Sequence, residues 1–228
     1  MKDKKKRSLC LSVCFLAAFV LWTAVVCTVN VMPIGPRGSS VGLAAVNGAF
    51  HDFTGVHMTL YTVTDWLGLV PVAFGLGFAV LGLVQWIGRK SILRVDYDIL
   101  ALGVFYIVML AVYLLFEKHV VNYRPVLIEG YLEASYPSST TLLVTCVIPT
   151  AVMQLRTRIT HKYAKSTITC FLVAFTLFMV VGRLVSGVHW LSDIIGGALL
   201  SGGLVMMYRF ICSLKENVKP DRCPQKTF

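Results

Sequence analysis

"ITCFLVAFTLFMVVGRLVSGVHWLSDIIGGALLSGGLVMMY", residues 168–208, decides how the chain folds. Two apolar runs, each long enough to cross a bilayer as a helix, meet at a short polar stretch that holds Arg183, His189 and Asp193. A crossing takes about 20 predominantly apolar residues, because the hydrocarbon core is about 30 Å thick. Ionisable groups where two such helices meet are costly unless they face a cavity or a partner. This hairpin therefore predicts both a membrane fold and a polar site at one face of it.

The rest of the chain agrees with that solvent. Of 228 residues, 57% are hydrophobic and only 14% charged, against the roughly 25% charged usual in soluble domains. Apolar runs over about 9–31, 66–88, 97–117, 139–157, 166–184 and 189–210 predict six spans. The fold class expected is an all-α integral membrane protein, a bundle of six transmembrane helices formed by a single domain over 1–214. The remainder, 215–228, reads as a polar cytoplasmic tail with two prolines. "MKDKKKR" precedes the first apolar run, which is longer than a signal-peptide core and lacks a small-residue cleavage site, so it is read as a retained anchor. In the first long loop, Val41, Leu43, Ala44, Val46 and Phe50 have the spacing of a short helix lying at the interface. Six of the seven cysteines lie inside apolar runs, without paired metal or disulfide spacings, and are read as small hydrophobes.

Net charge is +10, yet the cations stand in short clusters between apolar runs rather than on one face, which argues against nucleic acid as a partner. Five lie in the N-terminal tail, three in the second loop, four in the fourth and five at the C-terminal end, so 17 of 21 share one side. The positive-inside rule makes that side the cytoplasm, with both termini in it. Arg37, Lys118, Arg124 and Arg183 remain on the outer side, where the rule should have left few cations. Three of these four stand near helix ends in the second half of the chain.

"YPSSTT" opens the fourth span on that same side. Helix-start amides, Ser138, Ser139 and Thr140 hydroxyls, and three cations together make an anion site, and a phosphoryl group uses such a cluster fully. His189 and Asp193 are four apart, which lets a carboxylate orient an imidazole whose other nitrogen can attack phosphorus. Each feature alone has a plainer reading: a snorkelling cation, an N-cap, a structural His–Asp pair. Their convergence on one side is what points to a site.

These residues resemble the type 2 phosphatidic acid phosphatase superfamily, integral-membrane lipid phosphate phosphatases whose relatives include undecaprenyl diphosphate phosphatases. The family is known for three motifs: Lys, six residues, Arg-Pro; then Pro-Ser-Gly-His; then Ser-Arg, five residues, His, three residues, Asp. "GRLVSGVHWLSD" keeps the third spacing through Arg183, His189 and Asp193, with Gly182 in place of Ser. "PSST" keeps Pro137 and Ser138 of the second but has Ser139 for Gly and Thr140 for His. "KHVVNYRP" sets Lys118 before Arg124-Pro125 with five intervening residues rather than six. The charge bias places the site on the outer face of a plasma membrane, and the resemblance implies a lipid phosphatase with no cofactor and no metal. It implies that His189 forms a phosphohistidine, that Asp193 orients it, that Arg183 joins them in catalysis, and that Lys118, Arg124, Ser138, Ser139 and Thr140 bind phosphate.

Thr140 stands where the family has an acid that protonates the leaving oxygen, and threonine cannot do this near neutral pH. A lipid alkoxide needs that proton, whereas a phosphate leaving from a diphosphate needs little help. The substrate expected is therefore a phospholipid or polyprenyl phosphate, with a polyprenyl-type diphosphate preferred. Two alternatives share the scaffold: transfer of a phosphoryl or phosphoryl-linked headgroup to an acceptor other than water, and lipid-phosphate binding or transport without catalysis.

Overall fold

The structure is a computed structural model that describes residues 2–215, with side chains from residue 3 onward. The tail expected beyond Lys215 lies outside the described residues. Eight α-helices follow in order: α1 Lys2–Thr28, α2 Ala44–Thr54, α3 Met58–Leu67, α4 Leu69–Arg89, α5 Tyr97–Lys118, α6 Ser139–Arg158, α7 Lys162–Val185 and α8 Leu191–Lys215. Among the described residues, six helical stretches are long and apolar enough to cross a membrane, and α3 and α4 form one of them, Met58–Arg89. The chain is thus an all-helical membrane protein with six candidate spans.

The bundle is built around α6 and α8. Their most apolar windows are 56% and 44% buried, against 17–22% for the other four spans, whose exposed faces carry residues such as Leu76, Val80, Ile107, Phe171 and Leu177. Apolar side chains on the outside suit a hydrocarbon solvent. The core joins Phe19 and Val26 of α1, Leu102 and Phe105 of α5, Leu142 and Cys146 of α6, and Leu200 and Tyr208 of α8. The α1–α8 contact is close because α8 carries "GGALLSGG": a Cβ on Gly203 would come within 2.6 Å of the Leu16 side chain. Small residues at helix contacts are the usual means of close packing where no hydrophobic force drives association.

The second span begins earlier than its hydropathy indicates, since 58–65 carries Thr59, Tyr61, Thr62, Thr64 and Asp65 and reads as loop. The threonines do not break the helix, because the Thr62 and Thr64 hydroxyls bond back to Met58 O at 3.0 Å and Leu60 O at 2.8 Å. Packing holds it too. α3 lies against α7, where a Cβ on Gly182 would stand 2.7 Å from Thr64 Cγ2. The Gly in place of the family's Ser is thus what the α3–α7 approach requires.

The helix-like pattern at 41–50 forms α2, which sits over the start of α8: Asn47 donates to Ser192 Oγ at 2.9 Å and accepts from Ser192 N at 3.1 Å. The three loops 29–57, 119–138 and 186–190 meet at this end. Gly42 N donates to Asn122 Oδ1 at 3.1 Å, Arg37 Nη2 to Gly130 O at 2.9 Å, and His57 N to Ser186 O at 2.9 Å. The loops thereby form a fixed lid on which polar side chains can be placed accurately.

Candidate active site

α7 ends at Val185, a turn through Gly187 reverses the chain, and α8 starts at Leu191, so His189 lies in the turn and Asp193 in the first turn of α8. Both are buried. Their four-residue spacing does not produce a direct bond: His189 Nδ1 and Asp193 Oδ2 are 3.9 Å apart, because His189 precedes the helix rather than sharing its face. Ser135 fills the gap. Its hydroxyl donates to Asp193 Oδ2 at 2.5 Å and stands 3.0 Å from His189 Nδ1. A hydroxyl whose proton goes to the carboxylate must accept from the imidazole, so the proton belongs on Nδ1 and the lone pair on Nε2. Nε2 is buried and has no partner.

Asp193 is held by several donors besides Ser135: Trp190 N at 3.0 Å, Ser192 Oγ at 3.2 Å and Asn122 Nδ2 at 3.3 Å. For His189, burial dominates over the pull of Asp193, and with Arg124 and Arg183 nearby its pKa falls to about 4. At neutral pH the imidazole is uncharged.

The second motif lies against this pair. Ser138 caps α6, its oxygen accepting from Thr141 N at 3.4 Å, and its own amide donates to Asp193 O at 3.1 Å. That places the start of α6, with its unpaired first amides, beside the start of α8. Thr140 Oγ1 accepts from Arg183 Nη2 at 2.5 Å. Arg183 is 1% exposed; the same Nη2 donates to Asp65 Oδ1 at 2.9 Å. The ring of Tyr61 lies between the two arginines, 4.8 Å from the Arg183 guanidinium carbon and 5.9 Å from that of Arg124. Arg124 is 9% exposed and faces Glu133 Oε2 at 3.2 Å.

Several buried polar atoms here are unpaired: Nη1 of Arg124, Nε of Arg183, Oγ1 of Thr141 and Nε2 of His189, while Nε of Arg124 is the atom that faces Glu133. Leaving a buried donor unsatisfied costs about 1–3 kcal/mol, more when it is charged. Guanidinium donors left open beside an imidazole lone pair fit an anion that an imidazole can attack.

Lys118 is placed differently. It is the last residue of α5, exposed, with no hydrogen bond or ion pair. Counting back from Arg124 with six intervening residues ends on Glu117, and it is Glu117 that lines a cavity of about 320 Å³ together with Tyr113, Arg124, Glu133, Ser135 and Ser139. A second, apolar cavity of about 230 Å³, between α5 and α6, shares Tyr113 and Ser139 with it and continues along Met109, Leu110, Leu142 and Leu143. Sequence reasoning missed Ser135, Asn122, Tyr61, Asp65 and Glu117. Only Glu117 left a signal, the shortened first motif.

Residues 98–215, more than half of the chain, match the sequence model of the PAP2 superfamily. The chain belongs to the PAP2 superfamily. Its fold is similar to the crystal structure of the first transmembrane PAP2 type phosphatidylglycerolphosphate phosphatase from Bacillus subtilis, with a TM-score of 0.56 at 17% identity, covering 93% of this chain and 99% of that one. No curated protein matches it. The matched span of this PAP2 protein contains Arg124, Ser135, the start of α6 with Ser138, Ser139 and Thr140, Arg183, His189 and Asp193, while Tyr61 and Asp65 lie outside it, on α3.

Proposed function

We propose that the protein hydrolyses a lipid-linked phosphate, preferably a lipid diphosphate, through a phosphohistidine on His189. The observation that carries this is the neutral, unpartnered Nε2 of His189 buried beside two arginines with open donors. Nε2 attacks phosphorus, and the bond from phosphorus to the leaving oxygen breaks with its electron pair passing to that oxygen. Water then splits the P–N bond, releasing inorganic phosphate and restoring the imidazole. Through the Ser135 hydroxyl, Asp193 stabilises the positive ring of the intermediate, and Arg124 and Arg183 neutralise charge on the equatorial oxygens.

The leaving group follows from position 140. Thr140 accepts from Arg183 and offers no proton of useful acidity. General acid catalysis is worth about 10²–10⁴-fold, which a phosphomonoester would forfeit and a diphosphate largely would not. The apolar cavity between α5 and α6, which shares Tyr113 and Ser139 with the polar one, supports a lipid as the remainder of the substrate. The cation bias, 17 of 21 on the opposite side by the span order, supports an extracytoplasmic site in a plasma membrane.

The test compares phosphate release by the purified protein from a polyprenyl diphosphate and from phosphatidic acid. The expected kcat/KM is at least about a hundredfold higher for the diphosphate, the lower end of what a missing acid costs. Faster turnover of phosphatidic acid contradicts the reading.

A further inference from the structure

We infer that α3 shapes the phosphate cradle: Tyr61 and Asp65 are positioning residues that set the direction of Arg183, so that its open edge faces the ligand. The inference rests on the phosphate-binding role proposed above for the two arginines and names what gives them their geometry.

A guanidinium is planar with five donors in a fixed fork, so partners on one side decide where the other side points. Nη2 of Arg183 donates to Asp65 Oδ1 at 2.9 Å and to Thr140 Oγ1 at 2.5 Å, and Nη1 donates to Tyr61 O at 3.5 Å. The Tyr61 ring lies 4.8 Å from the guanidinium carbon, within cation–π range. What remains is Nε, buried and without a partner. In a side chain that is 1% exposed, a donor left open in this way is aimed at a ligand. Of these partners only Thr140 lies in the span that matches the superfamily; the others are on α3. Held by Thr140 alone, the guanidinium could turn about a single hydrogen bond.

α3 is seated for this role. Gly182, the residue before Arg183, lets it approach, since a Cβ there would meet Thr64 Cγ2 at 2.7 Å. The chain entering α3 is pinned to the turn that carries His189. His57 N donates to Ser186 O at 2.9 Å, and a Cβ on Gly187 would stand 2.0 Å from Gly55 O. Nucleophile and arginine are thereby held in one frame. Tyr61 reaches the second cation too: its ring is 5.9 Å from the Arg124 guanidinium carbon, and Nη1 of Arg124 is likewise buried and open. One ring therefore packs against both guanidiniums.

The sign of the effect separates positioning from simple charge. A carboxylate near an anion site opposes anion binding through its field. Acting by charge alone, Asp65 would weaken the site, and its removal would tighten phosphate binding. Acting by its hydrogen bond, it strengthens the site. The Asp65 side chain is 57% exposed, so solvent screens its field while the bond to Arg183 stays in place.

The experiment titrates inorganic phosphate, the product of the proposed reaction, calorimetrically into the full chain in detergent micelles. Asp65→Ala should weaken binding about tenfold and Arg183→Gln by about as much or more, as losing a hydrogen bond to a charged group does. The double variant should bind within about twofold of Arg183→Gln, because Asp65 acts through Arg183. Asp65→Asn, which keeps the acceptor without the charge, should return to within about threefold of the unsubstituted protein. A buried arginine deprived of its carboxylate endangers the fold, so a second pair unpairs no charge. Tyr61→Leu should weaken binding about fivefold, and Tyr61→Phe, which keeps the ring, less than about twofold.

Binding in Asp65→Ala as tight as in the unsubstituted protein, or tighter, makes Asp65 a charge rather than a guide and overturns the proposal. So do losses that add in the double variant, the sign of a general weakening of the fold, and an Asp65→Asn variant as weak as Asp65→Ala. Equal losses in Tyr61→Leu and Tyr61→Phe, or no phosphate binding by the unsubstituted chain, overturn it as well. Phosphate binding needs no turnover, so these titrations decide the positioning claim whether or not His189 forms an adduct.

Discussion

The two ends of the bundle both carry polar networks, and they differ in completeness. Near the ends of α5, α6 and α8 that lie opposite the site, Gln154 donates to Tyr208 Oη, Tyr208 donates to Asp98 O at 3.1 Å, Arg158 donates to Gln154 Oε1, and Arg158 pairs with Asp98 at 3.2 Å. No buried polar atom there lacks a partner. At the site end, Arg124, Thr141, Arg183 and His189 all have one or more unpaired buried atoms, and among the described residues only Ser39 Oγ is unpaired elsewhere. A network that closes on itself stabilises the fold. One held open by the surrounding lid stores unmet hydrogen bonds for a ligand, at a cost to stability.

The largest effect that could break this contrast is at its centre. His189→Ala should lower turnover by roughly 10³-fold or more, since it removes the group that forms the covalent bond. Arg183→Gln should lower it by about 10²–10³-fold, the usual cost of losing one donor to developing charge. Ser135→Ala should cost about 10–100-fold, as losing a group that orients a reactive imidazole does. Ser135→Thr, which restores the hydroxyl, should recover most of that loss, whereas a Ser135→Thr variant as slow as Ser135→Ala would make Ser135 merely a packing residue.

The pH profile sharpens the comparison further. The folded His189 titrates at about 4, below the ordinary 6.5, so the nucleophile is present above that value. Adduct formation should be flat from pH 8 to 5 and fall about tenfold per unit below 4; an acid limb near 6.5 would place His189 in a wetter setting. The linkage has a definite sign. The unfolded chain binds this proton more readily, so stability is lost as pH falls from about 6.5 towards 4. Smallest for catalysis is Tyr208→Phe at the closed end. It should lower stability, read as the midpoint of thermal inactivation, by about 1–2 kcal/mol and leave kcat within twofold.

The six spans were legible in the sequence because twenty-residue apolar runs have few alternative readings. The approach of Arg183, His189 and Asp193 was legible because all three fall within one hairpin. Tyr61 and Asp65 were not, since their polarity reads as loop, and only the contact of α3 with Gly182 on α7 makes that stretch a helix facing the arginines. The Ser135 bridge was hidden for a different reason. Its role depends on a 3.9 Å gap, and that gap arises because α8 begins at Leu191, a boundary that spacing alone does not fix. Replacement of Lys118 by Glu117 on the cavity wall is a one-residue change of helical register, visible as spacing but not as a direction.

The measurement that tests the central claim most directly is chemical trapping. Protein mixed with a polyprenyl diphosphate labelled in its terminal phosphate is quenched within the first turnovers, digested and sequenced. The account predicts an acid-labile, base-stable label on the peptide carrying His189, absent from His189→Ala. Steady turnover with no label on His189, or turnover that His189→Ala leaves intact, would contradict it.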